Sequence, residues 1–400
     1  MSFEIALTGL EATNTQLDTI SNNIANVSTT GFKESRTEFA AIYNGIQPGG
    51  VEVASISQNF EKNGNIVGTG RSLDLAINGN GFFQTKDTQN QTIYTRSGIF
   101  NTDRDNFIVS NTGLRLQGFT VDATNNVQQG TVGDLRVNTA AIGATATTTF
   151  DFSANLNAND TALDPLNFDP LDSNTYNSTY TTQVFDSLGN ARTLTQYFIK
   201  DLNAVGTNGW QVNYAFDQTP LATVETLNFD TNGVLIPPAT NTVLTSGPIV
   251  GANPLSITVN YTGMTQFGSD FGVSQNTANG NTSGDLSGLR VEDNGLVFAN
   301  YTNGQSIAQG QVILANFANP QGLLPVNKTG WIQTFASGNP ITGAPGTGIL
   351  GELSPGALEG SNVDLTGELV NLITAQRNYQ ANAKTISTSD QLTQALFNAV

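Results

Sequence analysis

Asn101, Asp103 and Asp105 set three side-chain oxygens at the 1-3-5 spacing of a calcium-binding loop. A loop of that kind carries Gly at its sixth position and a bidentate Glu at its twelfth. Here those positions hold Asn106 and Thr112, so a hairpin turn between Phe100 and Phe107 accounts for the same residues. Gly343, Gly346, Gly348 and Gly351 have the composition of a phosphate cradle. No Gly-Lys-Ser/Thr ending follows and no strand–loop–helix context surrounds them, so the segment reads as a flexible linker. Acidic pairs such as Asp164 and Asp169 have the chemistry of a glycosidase acid and nucleophile. With 32 acidic residues in the chain, such pairs arise by chance, and a solvated surface is the default. The chain has no histidine and no cysteine. That removes the commonest general base, the commonest metal ligand, every His-based triad and all thiolate chemistry. An enzyme is therefore the weakest reading, and neither a cofactor nor a metal is expected.

Composition narrows the remaining classes. A length of 400 residues exceeds one compact core, so several domains are expected. The net charge of -17 repels a phosphate backbone, which argues against nucleic acid as a partner. No apolar run approaches the ~18 residues of a membrane helix, so no membrane insertion is expected. The first basic residue is Lys33, which leaves no basic region of a cleavable signal peptide. Many Gly, Asn and Thr residues at only 12% charge suit short strands joined by turns, not charge-rich disorder.

The elements that would position anything are of two kinds. Both ends carry seven-residue apolar repeats: Phe3, Leu10, Leu17 and Ile24, with Ala6, Thr13, Ile20 and Val27 at an offset of three. At the far end Leu365, Leu372, Tyr379, Ile386 and Val400 share one frame, and Leu369, Ala383 and Phe397 a second. Such spacing keeps an apolar stripe on one side of a helix and demands a partner to cover it. The first helix is expected over 3–27, ending near Gly31 as a C′ residue. The last is expected to start at an Asp364 N-cap and, if continuous, to run about 35 residues, or ~52 Å. The stripes fit two outcomes equally: a hairpin that staples one chain, or a surface that joins subunits. Asn14, Ser21, Gln376 and Asp390 loosen an isolated pair and could set register or meet neighbours.

Between the helices the pattern alternates with period two. Leu73, Leu75 and Ile77 lead to an Asn-Gly-Asn-Gly turn and Phe82–Phe83; Trp210, Val212, Tyr214 and Phe216 alternate strictly, as do Leu255, Ile257, Val259 and Tyr261. The fold class is therefore mainly β with long α-helical termini. The expected order is nested: a terminal helical domain from 1–30 and 365–400, a connector from 31–70 and 340–364, a middle β-domain from 71–144 and 285–339, and an inserted outer β-domain at 145–284. Insertion is tolerated because domain termini lie close together.

Several segments resemble a known family. The run Ser21-Asn22-Asn23-Ile24-Ala25-Asn26-Val27-Ser28-Thr29-Thr30-Gly31-Phe32-Lys33 is similar to the amino-terminal signature of bacterial flagellar rod and hook axial proteins, with Asn22, Asn23, Asn26, Gly31 and Phe32 as its marks. The stretches 73–83 and 94–100 resemble the start of that family's shared β-domain. Those at 358–365 and 375–384 resemble its carboxy-terminal signature. The matches cover roughly 1–120 and 290–400. The inserted block at 145–284 matches by length alone, and it favours the hook members over the shorter distal-rod ones. Asn106-Phe107 stands where the family usually has Gly-Tyr, and Asn also tolerates a left-handed backbone. The resemblance implies a tubular helical homopolymer that couples rod to filament, bends and transmits torque. It implies rod, hook-cap and hook–filament junction proteins as partners. It also implies a place in the extracellular flagellum, reached through type III export without a cleavable signal peptide. Phe3, Leu10, Leu17, Ile20, Ile24, Leu365, Leu369, Leu372, Tyr379 and Ile386 are the expected polymerisation residues. The competing class is a surface β-protein that binds glycans, with its helices as a staple.

Overall fold

The computed structural model describes residues 2–45, 47–204, 208–236 and 241–399. The chain forms two units: 1–139, 287–300 and 306–400 make the first, and 140–286 with 301–305 the second.

The first unit holds both helices. Helix α1 (Ser2–Ala25) and helix α2 (Leu365–Ala399) pack on each other. They run antiparallel, since Gly9 abuts Asn382 while Asn23 meets Glu368. Asp364 caps α2: its Oδ1 accepts the Thr366 amide at 3.0 Å, as the Asx preference at this position predicts. Helix α1 stops at Ala25, short of the expected 27. Gly31 is not its C′ residue. It has φ +72, and a Cβ there would stand 2.5 Å from the backbone of Arg96 and Ser97. The glycine is needed because two backbones meet, not because a helix ends.

Residues 31–70 lack a clear period, yet most of them form a long antiparallel ribbon, β1 (Ser35–Asn44) and β2 (Gln47–Gln58), with two register shifts. The ribbon lies on α1: Thr8 Oγ1 accepts the Val51 amide, and Thr37 Oγ1 bonds Thr19 Oγ1 at 3.0 Å. Bulges break the period-two pattern, which is why alternation does not reveal the strands.

The remainder of the first unit is a many-stranded antiparallel sheet. Its strands run in the spatial order Ser306–Val312, Arg115–Val121, Phe82–Lys86, Thr92–Thr95, Gly330–Ile332, Leu324–Val326. Strands from before the insertion form its centre and strands from after it flank them on both sides. Leu75–Asn78 likewise pairs with Glu352–Pro355, and Ile66–Gly68 with Ala357–Glu359. The core carries edge-on rings of Phe60, Phe82, Tyr94, Phe317 and Trp331.

Asp103 is a turn residue. Its Oδ1 accepts the amides of Asp105 and Phe107, and Asn106 takes φ +65. The glycine-rich stretch is no flexible linker. Gly346 donates to Gly351 O, Gly351 donates to Asn80 O, Leu350 is buried, and a Cβ on Gly351 would meet Asn78 O.

The second unit has two sheets. One is an antiparallel meander, Ser178–Phe185, Ala191–Lys200, Gly209–Phe216, Thr219–Phe229 and Leu235–Ile236; the other is built around Thr149–Asn157. One core joins them, with Phe150, Phe152, Phe198, Trp210 and Tyr214 fully buried. Inside it Tyr214 Oη and Tyr261 Oη lie 2.8 Å apart, and Tyr261 donates to Gln196 Oε1 at 2.6 Å. Burial pushes both phenols far above the usual tyrosine range. Asp164 and Asp169 serve local turns by accepting the Leu166 and Leu171 amides.

Candidate functional site: the terminal helices and the junction at their base

On α1 the face turned inward is Ala6, Gly9, Ala12, Thr13, Thr19, Ile20 and Asn23. The offset row is thus the buried one. Leu10, Leu17 and Ile24 are half-buried, and Phe3 is 43% exposed. On α2 Glu368 and Ala375 are buried; Leu372, Asn382, Ala383, Ile386 and Ser389 are half-buried. The second row of α2 therefore runs through 368, 375, 382 and 389. Leu369 on the expected second frame is exposed, as are Leu365 and Tyr379. Val400 and the Phe397 side chain lie outside the described residues. The reason for the shift is volume. Gly9, Ala6 and Ala375 let the helices approach closely, so small residues fill the seam and the larger apolar ones are left beside it. A Cβ on Gly9 would stand 2.8 Å from the Asn382 amide. Asn14, Ser21, Gln376 and Asp390 are all exposed.

Apolar surface remains open around this seam. Ile5, Leu7, Val370, Ile373 and Leu392 are exposed along with Phe3 and Leu369. An open groove of about 500 Å³ is floored by Gly9, Ala12 and Gly50 and walled by Ile5, Phe39 and Val51.

The signature asparagines and glycine sit where the helices join the β-structure. Asn23 is 1% exposed and clamps Ser35 from both sides: its Nδ2 donates to Ser35 O at 2.8 Å and its Oδ1 accepts the Ser35 amide at 2.9 Å. Asn26 Nδ2 donates to Asn22 Oδ1 at 2.9 Å, and Thr29 Oγ1 donates to Asn26 Oδ1, which closes the turn after α1. Gly31 donates to Glu359 O at 2.8 Å, and Phe32 O accepts the Asn362 amide.

Residues not predicted as a site form the centre of this junction. Glu359 is fully buried between two cations: Lys33 Nζ at 2.9 Å from Oε1 and Arg96 Nη1 at 3.1 Å from Oε2. Gly64 N–H also donates to Oε1, Lys33 Nζ donates to Lys62 O, and Arg96 Nη2 donates to Gly79 O. Desolvation, and then the nearby Arg96, pull the Lys33 ammonium below the usual lysine range, while Glu359 opposes them. Asn362 completes the tie. Its Oδ1 accepts the Glu34 amide, and its Nδ2 donates to Asn59 O and Lys62 O. The signal was present: alternation in Ala357–Glu359 places Glu359 on the same inward face as Ala357. Its cationic partners lie 326 and 263 residues away, so no local pattern could pair them.

Among the described residues this geometry holds structural ties and open apolar surface. The comparisons agree with it. Residues 3–33 match the flagella basal body rod protein family and 76–147 the flagellar hook protein FlgE/F/G D1 domain. Residues 155–281 match the flagellar basal body protein FlaE D2 domain and 354–399 the flagellar basal body rod FlgEFG protein C-terminal family. Flagellar hook protein FlgE of Escherichia coli is 40% identical, with both chains covered fully. That of Salmonella typhimurium is 39% identical, again over the whole of both. In fold, the chain is similar to the crystal structure of the Helicobacter pylori flagellar hook protein FlgE2, with a TM-score of 0.54, 14% identity, and 72% of this chain and 98% of that one covered. Full-length identity at this level, four matched segments in order and the shared architecture together show that the chain belongs to the flagellar hook protein family, the structural subunits of the hook.

Proposed function

We propose that the terminal helix pair is the polymerisation element of this hook subunit, and that subunits join through the apolar surface left open beside the seam. The observation that carries this is the position of Val370, Ile373 and Leu392 on a helix already packed against α1, yet 59%, 51% and 68% exposed. Burying such side chains contributes roughly 1.5–3 kcal/mol each, so several of them covered together favour association. Unlike surfaces meeting on identical subunits generate an open helix, and so a tube. The product is a flexible coupling between rod and filament that works mechanically, with no catalytic step. Rod protein at one end, and the cap and junction proteins at the other, are the further partners. The subunit reaches the extracellular hook by flagellar type III export.

Electron microscopy of the full chain and of Leu369→Asp and Ile373→Asp variants tests this. Tubes from the wild type and none from the variants, with unchanged β-sheet circular dichroism, are expected. Variants that still form tubes would refute it.

A further inference from the structure

The terminal helices carry a second feature besides their apolar surface. Helix α1 contains acids and no base at all, and Glu11 and Asp18 are exposed on it, seven residues apart. The two bases of α2, Arg377 and Lys384, are also exposed and also seven apart. Seven residues of helix span ~10.5 Å, so the two rows have the same pitch. Neither base has an acid three or four residues away on its own helix. Among the described residues, none of these four side chains forms an ion pair or a hydrogen bond within the chain. The rows also carry open apolar residues: Val370 lies seven before Arg377, and Leu7 four before Glu11.

We propose that the Arg377–Lys384 row of α2 docks on the Glu11–Asp18 row of α1 of a second copy as a two-rung ionic ladder. Charge complementarity, equal pitch and the absence of partners within the chain select a second copy as the occupant. The two rows are different surfaces, so each copy offers one of each, and the contact propagates instead of closing. The ladder sets the register that apolar contacts alone leave loose, as flanking charges do in coiled coils. The inference rests on the polymerisation reading above and adds its register and its charge pairs.

The test uses full-length chains and charge reversal. One variant is Arg377→Glu with Lys384→Glu; the other is Glu11→Lys with Asp18→Lys. At about 50 mM salt, where surface charges are weakly screened, each variant alone is expected to need at least about tenfold more protein to form tubes, because like charges then face each other. An equimolar mixture of the two should restore assembly, and a single chain with all four reversals should do so as well. Full assembly by either variant alone would overturn the proposal. Rescue by the fourfold chain without rescue by the mixture would overturn it too, since that result places the ladder inside one chain. Absence of wild-type tubes in the same buffer would sink the polymerisation reading itself, and the ladder with it.

Discussion

The inserted unit and the terminal helix pair use apolar residues in opposite ways. In the former Phe150, Phe152, Phe198, Trp210 and Tyr214 are sealed in a core shared by two sheets. In the latter the seam is made of Gly9, Ala6, Ala12 and Ala375, while Phe3, Leu369, Val370 and Ile373 remain open. A unit with its main aromatic cluster sealed in a core of its own meets the basic requirement for folding alone. A pair of helices that spends small residues on its partner and leaves large ones exposed is incomplete until something else covers them. The junction around Glu359 lies between these extremes, since it is fully buried yet held by charges and hydrogen bonds.

That contrast can be broken at the junction first. Glu359→Gln leaves Lys33 and Arg96 buried without a counter-charge and should remove about 3–5 kcal/mol from the first unit. Calorimetry should show its transition fall while that of the inserted unit stays in place. A single joint shift would mean that the two units do not unfold independently. Trp210→Ala is the converse. It should cost the inserted unit about 3–5 kcal/mol and leave the junction transition and tube formation unchanged; loss of tubes would show that assembly needs this core. Gly31→Ala should cost about 1–3 kcal/mol from its left-handed backbone, with the approach of the Arg96–Ser97 backbone added to it. Thermal melts of the first unit measure this, and no effect would mean that the crossing backbones separate freely.

The smallest effect depends on pH. Burial, and then the neighbouring Glu34, hold the Glu368 carboxyl above its ordinary range. The folded state therefore keeps this proton longer than the unfolded state does. The stabilisation is complete below the ordinary glutamate pKa and is lost as pH rises through the raised value. Glu368→Gln should flatten that decline in a series of melts from acid to neutral pH. An unchanged slope would mean that the pair does not sense pH.

Much of this organisation was legible because it is periodic. The alternation of Trp210, Val212 and Tyr214 is that of a strand with one face on a core. The seven-residue spacing at both ends is that of paired helices, and Asp364 marks the start of the second. The signature around Asn23 and Gly31 was visible as a motif, but its work was not, since Asn23 holds Ser35 and Gly31 admits the backbone of Arg96. The ribbon of β1 and β2 is not legible in the sequence because its bulges erase the period. The face that α2 buries departs from its apolar frames because close helix approach selects small side chains, which apolar spacing does not show.

By itself, then, the chain determined the two terminal helices and the strands of regular period, since local periodicity and capping depend only on near neighbours. It also determined that catalysis by histidine or cysteine is excluded, since composition settles that. Only the tertiary structure decided which helical row is buried, because close approach selects the smallest side chains. It alone joined Lys33, Arg96 and Glu359, because a buried ion pair needs its partners close in space, however far apart they lie along the chain.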